Sequence, residues 1–167
     1  MTVHRLSKAI FACAIAVLAS NCVSANRYVQ PDAEGVASLI GRSVHNAFFD
    51  WEFFAVTTVD NRFVSALFGS SAKARLALTP ESHRLVVQAT FNRQFTGGGP
   101  YEAFVALSFT PQIGGVYQLG GGVRDNLVDV WVEDRFTGVR VTEVFSAPYQ
   151  TQPKAPVYTP IYLPPAS

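Results

Sequence analysis

The sequence contains three histidines, at positions 4, 45 and 83, and histidine is the side chain best suited to move protons near neutral pH. Ser43 and Asp50 flank His45, and Ser82 directly precedes His83. A catalytic triad needs a nucleophile on a constrained turn, a histidine base and an orienting carboxylate. No nucleophile-elbow pattern surrounds either serine. We therefore expect that the protein is not an enzyme and that Ser82 and His83 serve hydrogen bonding at a turn.

Patterns that would bind a metal ion are also absent from the sequence. His45 and His83 are 38 residues apart, and no local histidine spacing typical of zinc sites occurs. Four acidic residues cluster without the dense oxygen spacing of a calcium loop: Asp125, Asp129, Glu133 and Asp134. We expect these carboxylates to face solvent, and we expect no metal and no cofactor.

Two glycine runs, 97–99 and 120–122, raise the possibility of phosphate binding. A phosphate-binding loop needs a following helix and usually a lysine next to serine or threonine. A proline and a strand-like run follow the first glycine run, and Val-Arg-Asp follows the second. Both runs are therefore predicted to be flexible hairpin loops.

Trp131 is the strongest candidate for a ligand or partner contact. Valines at 128, 130 and 132 alternate with Asp129, Trp131 and Glu133, so the three latter side chains should share the opposite face of a strand. An exposed aromatic between carboxylates could stack on a sugar ring or on a partner's surface. The alternative is that Trp131 packs beneath a loop or the C-terminal segment. Trp51 is in phase with Phe53 and Ala55, which predicts that it lies in the core.

The elements that would position these residues are short strands. Apolar and polar residues alternate with a period of two through most of 51–145. The pattern is clearest in two runs joined by a glycine-rich loop. The apolar face of the first run carries Leu85, Val87, Ala89, Phe91 and Phe95, and that of the second carries Tyr101, Ala103, Val105, Leu107 and Phe109. This pattern predicts an antiparallel hairpin. The other predicted strands are 37–43, 51–59, 62–68, 74–78, 116–119, 128–133 and 139–145.

Turns are predicted at 60–61, 79–82 and 135–138. The fold expected from these strands and turns is all-β, a single antiparallel β-sandwich or small barrel of seven to nine short strands over residues 26–147. About 120 residues are enough to form one such core without disulfides.

Residues 1–25 have the three parts of an export signal: a basic start, the uncharged apolar run 9–19, and small residues after it. Two processing outcomes remain open. Residues 23–25 fit ordinary cleavage after Ala25, whereas 18–22 resemble a lipobox, in which Cys22 would be lipidated and become the N-terminus. The protein is thus expected in the periplasm or lipid-anchored in the outer membrane, and otherwise secreted. Since Cys13 lies within the signal and Cys22 is either removed with it or acylated, the folded domain should have no free thiol.

The composition excludes further classes. With 49% hydrophobic and 15% charged residues, the chain is too apolar to be disordered. Removal of the signal leaves eleven basic and twelve acidic residues, a net charge of −1 that gives no attraction to nucleic acids.

Six of the ten prolines lie in residues 148–167, with three tyrosines among them. Proline at this density predicts an extended, polyproline-like tail outside the sheets. The tail is either a disordered end or a docking peptide for another envelope protein or the cell wall.

Several phrases resemble a known family: Val-Asp-Asn at 59–61, Leu-Thr-Pro-Glu-Ser-His-Arg-Leu-Val-Val at 78–87, Gly-Val-Tyr-Gln-Leu at 115–119, Val-Trp-Val-Glu-Asp at 130–134, and Thr-Gly at 137–138. They are similar to small, mostly uncharacterised bacterial envelope lipoproteins with a PEGA-like β domain. Asn61 and Glu81 stand where that family has glycine. The resemblance implies a β-sandwich and an envelope location, and it carries no active site.

Together these observations predict an exported bacterial envelope protein, a non-enzymatic structural or partner-binding lipoprotein whose partner is an envelope protein or a cell-wall component. The alternative is a secreted or periplasmic carbohydrate-binding module that uses Trp131, Asp129 and Glu133.

Overall fold

The structure is a computed structural model, and it describes residues 26–32, 34–47, 50–64, 75–93 and 99–153. The predicted signal with Cys13 and Cys22 and the last part of the predicted tail, 154–167, lie outside the described residues. Within the described part of the chain there are eleven strands and no helix. The all-β prediction is confirmed.

The strands form two separate open sheets, so neither closes into the small barrel that was the second expectation. The five-stranded sheet has the order β10-β9-β8-β1-β5, with bounds Phe145–Pro148, Leu127–Asp134, Val116–Arg124, Ala37–Ile40 and Arg75–Leu78. The six-stranded sheet has the order β11-β7-β6-β3-β2, with bounds Gln150–Thr151, Tyr101–Phe109, His83–Asn92, Asp50–Val59 and Arg42–Ala47; β4, Arg62–Phe63, pairs with β3. Buried side chains from both sheets form one core in a sandwich-like arrangement.

The predicted hairpin is formed by β6 and β7, which pair antiparallel from His83 opposite Phe109 to Phe91 opposite Tyr101. The described residues of the predicted inner faces are buried, except for Tyr101, which is partly buried against the core. The period of two therefore located this part of the core correctly.

The predicted strand 37–43 is divided at Gly41, because the chain passes there from one sheet to the other. This crossing places β1 parallel to β8, so the sheets are not wholly antiparallel as expected. The division and the two-residue strands β4 and β11 raise the number of strands above the predicted seven to nine.

The core prediction for Trp51 is wrong. The inward face of β3 carries Glu52, Phe54 and Val56, opposite buried residues of β6, whereas Trp51 and Phe53 lie on the outer face and are partly exposed. Phe53 and Phe54 are adjacent, so alternation alone did not identify the inner face. A register shift between Val56 and Thr58 further disturbs the period.

The glycine run 120–122 is not a flexible loop but lies within β8. A Cβ at Gly120 would overlap the indole of Trp131 on the outer face. On the inner face, a Cβ at Gly121 would lie 2.5 Å from Cε1 of Phe54. The glycines therefore let two aromatic rings lie directly on the backbone of β8. Of the first glycine run, Gly99 alone is described, and it precedes a cis proline.

The start of the predicted tail is paired in the sheets. Pro148 ends β10 opposite Leu127, and β11 pairs with β7. The ring of Tyr149 packs edge-on against Phe91, with 5.0 Å between ring centroids. Pro148 is tolerated because β10 is an edge strand, where a missing N–H need not break a ladder.

The free edge of β5 is covered by the first described segment. The Tyr28 hydroxyl donates to the carbonyl of Ala77 at 2.8 Å, and the amide of Ala77 donates to the side-chain oxygen of Gln30 at 3.1 Å. These side chains satisfy backbone groups that would otherwise lie at an open edge.

Candidate functional site

The structure places Trp131, Asp129 and Glu133 on the outer face of the five-stranded sheet, as predicted. Val128, Val130 and Val132 of the same strand are fully buried, and the three outer side chains are partly exposed. The alternation of β9 therefore identified the two faces correctly.

The ring of Trp131 is partly exposed and contacts the protein in two places. One face lies on the backbone of Gly120, and the guanidinium carbon of Arg140 lies 4.2 Å from the ring centroid. The indole N–H donates to Oε2 of Glu133 at 2.9 Å. Arg140 belongs to the loop that follows β9, so Trp131 packs beneath a loop residue in a cation–π contact. A sugar ring could stack on this side only after Arg140 moves away.

The two carboxylates of this face already have partners in the protein. Oε1 of Glu133 accepts a hydrogen bond of 2.6 Å from the amide of Gln118. Asp129 accepts a hydrogen bond from the Ser146 hydroxyl and lies 3.3 Å from a guanidinium nitrogen of Arg124. These contacts join strands β8, β9 and β10, which makes the face polar and well ordered.

A cavity of about 470 Å³ opens beside this cluster, lined by Gln118, Glu133 and Arg135 and by residues 40–44 at the crossing between the sheets. Its volume lies within the range of small-molecule sites. Trp131 and Asp129 do not line it. The three predicted contact residues therefore lie on one face, but only Glu133 reaches the cavity.

No family model matches the chain, and no match to it was found among the curated proteins or the solved structures. The resemblance to envelope lipoproteins with a PEGA-like β domain and the sugar-binding alternative both stay predictions.

A feature missed by the sequence reasoning is the loop 135–144. Residues 139–145 were predicted as a strand, but only Phe145 lies in one, and Arg140 forms a single isolated bridge with Glu133. The reason is one side-chain hydrogen bond: the amide of Val132 donates to the hydroxyl of Thr142, where a strand would offer a backbone carbonyl. The predicted turn at 135–138 is present.

Several hydrogen bonds stabilise the turn of this loop. Oδ1 of Asp134 accepts from the amides of Phe136 and Thr137 and from the Thr137 hydroxyl, at 2.8 to 3.0 Å. The two bonds from Thr137, with the Phe136 amide, hold the pKa of Asp134 below its ordinary value, although slight desolvation works to raise it. Gly138 adopts a φ of +68° and donates to the Asp134 carbonyl. The amide of Val141 then donates to the carbonyl of Val132.

Exposed apolar side chains concentrate near this loop. Phe136 is 81% exposed, and Val139, Val141 and Val144 are also exposed. Ile113, 73% exposed, lies in the connection between β7 and β8. The amide of Arg135 donates to the carbonyl of Val116, which brings the two loops to the same end of the sheet. A run of apolar residues around Thr-Gly was the only signal of this surface in the sequence.

The same end receives the start of the described chain. Phe63 follows the turn at 60–61, which comes directly after β3 and lies beside the first residues of β6. Its backbone exchanges hydrogen bonds with Asn26 and Tyr28. Phe63 and Val29 are exposed. We call the end of the fold formed by residues 26–32, 60–64, 110–115 and 135–144 the apolar end.

Among the described residues, neither His45 nor His83 has both a serine hydroxyl and a carboxylate within hydrogen-bonding distance of its ring. Nδ1 of His45 lies 3.3 Å from the Ser43 hydroxyl on an exposed strand, whereas Asp50 lies against Arg93 rather than against His45. His83 is buried, with Nδ1 2.7 Å from Oδ2 of Asp60.

The second nitrogen of His83 lies 3.0 Å from the backbone carbonyl of Thr79 and 3.1 Å from its hydroxyl. Nε2 either donates to that carbonyl or accepts from that hydroxyl, according to the tautomer, while Nδ1 faces the Asp60 carboxylate. The His83 ring thus joins the turn at 60–61 to the turn at 79–82.

Replacing Asp60 by asparagine tests this link. Burial works to raise the pKa of Asp60, but hydrogen bonds from His83 and the Arg84 amide and the charges of His83 and Arg62 outweigh it and lower that pKa. A carboxyl group whose pKa is lowered on folding stabilises the fold above its unfolded-state pKa. This stabilisation is lost as the pH falls through the folded-state pKa. We expect Asp60→Asn to cost about 1 kcal/mol near pH 7, after solvent screening, and much less below about pH 3.

Urea unfolding of both proteins across this pH range measures the effect. Asp125→Asn is the matched control, since Asp125 also has a positive φ, of 53°, in the β8–β9 hairpin, and asparagine tolerates that conformation equally. An equal effect of both substitutions at every pH would show that the Asp60–His83 contact contributes no stability.

Within the described ranges, no three histidine, cysteine, aspartate or glutamate side chains come together to hold a metal ion. In the same part of the chain, no helix is long and apolar enough to cross a membrane. The lipidation candidate Cys22 lies outside the described residues.

Proposed function

We propose that this chain is an exported, non-enzymatic protein of the bacterial cell envelope that folds as one β-sandwich and binds an envelope component. The first 25 residues support export through their basic start, short apolar run and small residues before Asn26. The run of 11 uncharged residues at 9–19 is shorter than the roughly 20 that a spanning helix needs. Cys22 supports an acyl anchor on the mature protein.

The observation that carries the binding role is the ordered display of apolar side chains at the apolar end. Phe136 is 81% exposed although its own amide is hydrogen-bonded to Asp134. An exposed aromatic on a loop held by this many hydrogen bonds is not a transient opening of the fold. Clustered, exposed apolar residues of this kind mark interaction surfaces.

Carbohydrate binding through Trp131 remains the alternative, and it requires that Arg140 leave the indole. The proposal of a general envelope-binding role does not need such a rearrangement, so we favour it.

The intact mass of the protein from membrane and soluble envelope fractions of an expressing bacterium tests the proposal. We expect a membrane species that begins at acylated Cys22. A soluble species that begins at Asn26 would retain export but remove the anchor. An unprocessed chain found only in the cytoplasm would overturn the proposed location.

A further inference from the structure

We propose that the apolar end binds the surface of a phospholipid bilayer, with Phe136, Val139 and Ile113 entering the interfacial region. This inference rests on the envelope location proposed above for its biological setting. Its physical basis is the distribution of exposed apolar residues, the arginines beside them and the direction from which the chain enters the fold.

The apolar residues come from separate segments that meet at one end. Phe136 and Val139 belong to the loop after β9, and Ile113 belongs to the connection between β7 and β8. Val29 and Phe63, from two further segments, are exposed at the same end. Side chains on several neighbouring loops can enter a fluid interface together, whereas a protein partner would need a matching surface for each.

The loop is ready to bind without folding. Asp134 caps the turn through three hydrogen bonds, and the Val132 amide holds the Thr142 hydroxyl. Because the loop is already ordered, insertion costs little conformational entropy of its backbone. The free energy gained by burying the apolar side chains is therefore not offset by a cost of ordering the loop.

Two arginines flank the apolar tip. Arg135 precedes Phe136, and Arg140 follows Val139. The neighbouring Glu133 carboxylate accepts hydrogen bonds from Gln118 and Trp131, and the exposed Asp134 carboxylate accepts them from the loop itself. The Arg140 guanidinium lies over the indole of Trp131, and Arg135 lines the cavity at the crossing between the sheets, so a contact of either arginine with a lipid phosphate requires its side chain to turn toward the bilayer. The acidic residues Asp32, Glu34, Asp60, Glu81 and Glu143 also lie at or near this end, so we expect apolar contact to dominate and salt to weaken binding only modestly.

The direction of the N-terminus favours a bilayer over other partners. Asn26 is held at the apolar end by the amide of Phe63, which donates to its carbonyl at 2.8 Å. Cys22 is four residues before Asn26, and four extended residues reach at most about 14 Å. An acyl group on Cys22 would therefore hold this end, rather than the opposite one, against the membrane.

Sedimentation of the full chain with protein-free vesicles tests the inference. The vesicles contain about two parts phosphatidylethanolamine to one part phosphatidylglycerol, and every protein carries Cys22→Ala so that no acyl chain contributes. We expect the double variant Phe136→Ser, Val139→Ser to partition about tenfold more weakly than the unchanged loop. Phe104→Ser is the matched control, because Phe104 is an exposed phenylalanine on β7 outside the apolar end, and it should change partitioning less than twofold.

A second readout removes any contribution of residues 1–25 to sedimentation. With Trp51→Phe, Trp131 is the single tryptophan, and it lies beneath Arg140 of the loop. Brominated lipids should quench its fluorescence, and the double variant should lose this quenching. Equal quenching in both proteins, or no quenching in either, would overturn the inference.

The outcomes separate the two proposals. Vesicle binding by the loop together with an unprocessed cytoplasmic chain would refute the envelope location and leave the lipid-binding surface intact. Loss of envelope association on Phe136→Ser in cells, without any binding to protein-free vesicles, would overturn the lipid inference and indicate a protein or cell-wall partner instead.

Discussion

Replacing Gly121 by alanine is expected to lower the free energy of unfolding by about 1–3 kcal/mol, the usual cost of overpacking a core. In a strand, this substitution would ordinarily stabilise by about 0.5–1 kcal/mol, because glycine loses more entropy on folding. Here the new Cβ would lie 2.5 Å from Cε1 of Phe54 and 2.9 Å from the backbone oxygen of Asp129. Phe54 is fully buried, and a backbone oxygen cannot rotate away, so neither group can move aside without further strain.

Gly122→Ala is the matched control, since a Cβ at the next residue of the same strand would have no heavy atom within 4 Å. We expect it to be neutral or slightly stabilising. Gly120→Ala should also destabilise, and it should change the emission of Trp131 because the new methyl group displaces the indole. Urea unfolding and fluorescence of the three variants, in a Trp51→Phe background, measure both effects. Equal stability of Gly121→Ala and Gly122→Ala would refute the close approach of Phe54 to β8.

Removal of the Arg93 side chain should have the second large effect. Its Nη2 lies 2.6 Å from Oε1 of Glu52, a side chain that is 9% exposed, and its Nη1 lies 3.4 Å from Asp50. Arg93→Ala would leave the Glu52 carboxylate buried without this cation. Loss of one partner of a buried pair costs about 3–5 kcal/mol, and since Arg93 is one-third exposed we expect about 2–3 kcal/mol.

Two further variants test whether the uncompensated Glu52 charge causes this loss of stability. Adding Glu52→Gln to Arg93→Ala should recover part of the stability, because the uncompensated buried charge is then removed. Arg124→Ala, which removes a mostly exposed arginine from Asp129, should cost less than about 1 kcal/mol. Chemical denaturation of the unchanged protein, Arg93→Ala, the double variant and Arg124→Ala measures their free energies of unfolding. If Arg93→Ala and Arg124→Ala cost the same, the burial of Glu52 has no energetic consequence.

The inner and outer faces of β6, β7 and β9 could be predicted because each strand has a single apolar face with a period of two. The period of two did not identify the inner face of β3, where Phe53 and Phe54 are adjacent and a register shift follows Val56. The turn at 60–61 was correct, since Asp60 and Asn61 adopt φ values of 49° and 62°, which both residue types tolerate.

Residues 120–122 and 139–145 were misassigned for a different reason. A glycine run has loop character by itself, and its place in β8 depends on Phe54 and Trp131, which are distant in sequence. The segment around Thr142 alternates like a strand, but a side-chain hydroxyl occupies the amide of Val132. Neither contact follows from local pattern.

The candidate site could be predicted only in part. Alternation placed Trp131 on the outer face with Asp129 and Glu133, and the possibility that it packs beneath a loop was foreseen. The identity of the covering residue was not, because Arg140 reaches the indole only through the turn that Asp134 and Gly138 set. The apolar end depends on four segments that no sequence window contains.

The covered edge of β5 bears on how the protein behaves at high concentration. A bare strand edge is a template to which a second chain can add, and such addition leads to aggregation. Tyr28 and Gln30 occupy the backbone groups of Ala77 that would recruit that chain. Both residues lie after either predicted cleavage site, so each maturation route preserves this protection. Further trimming by a protease, past residue 30, would uncover these backbone groups, and we expect it to favour association between chains at this edge.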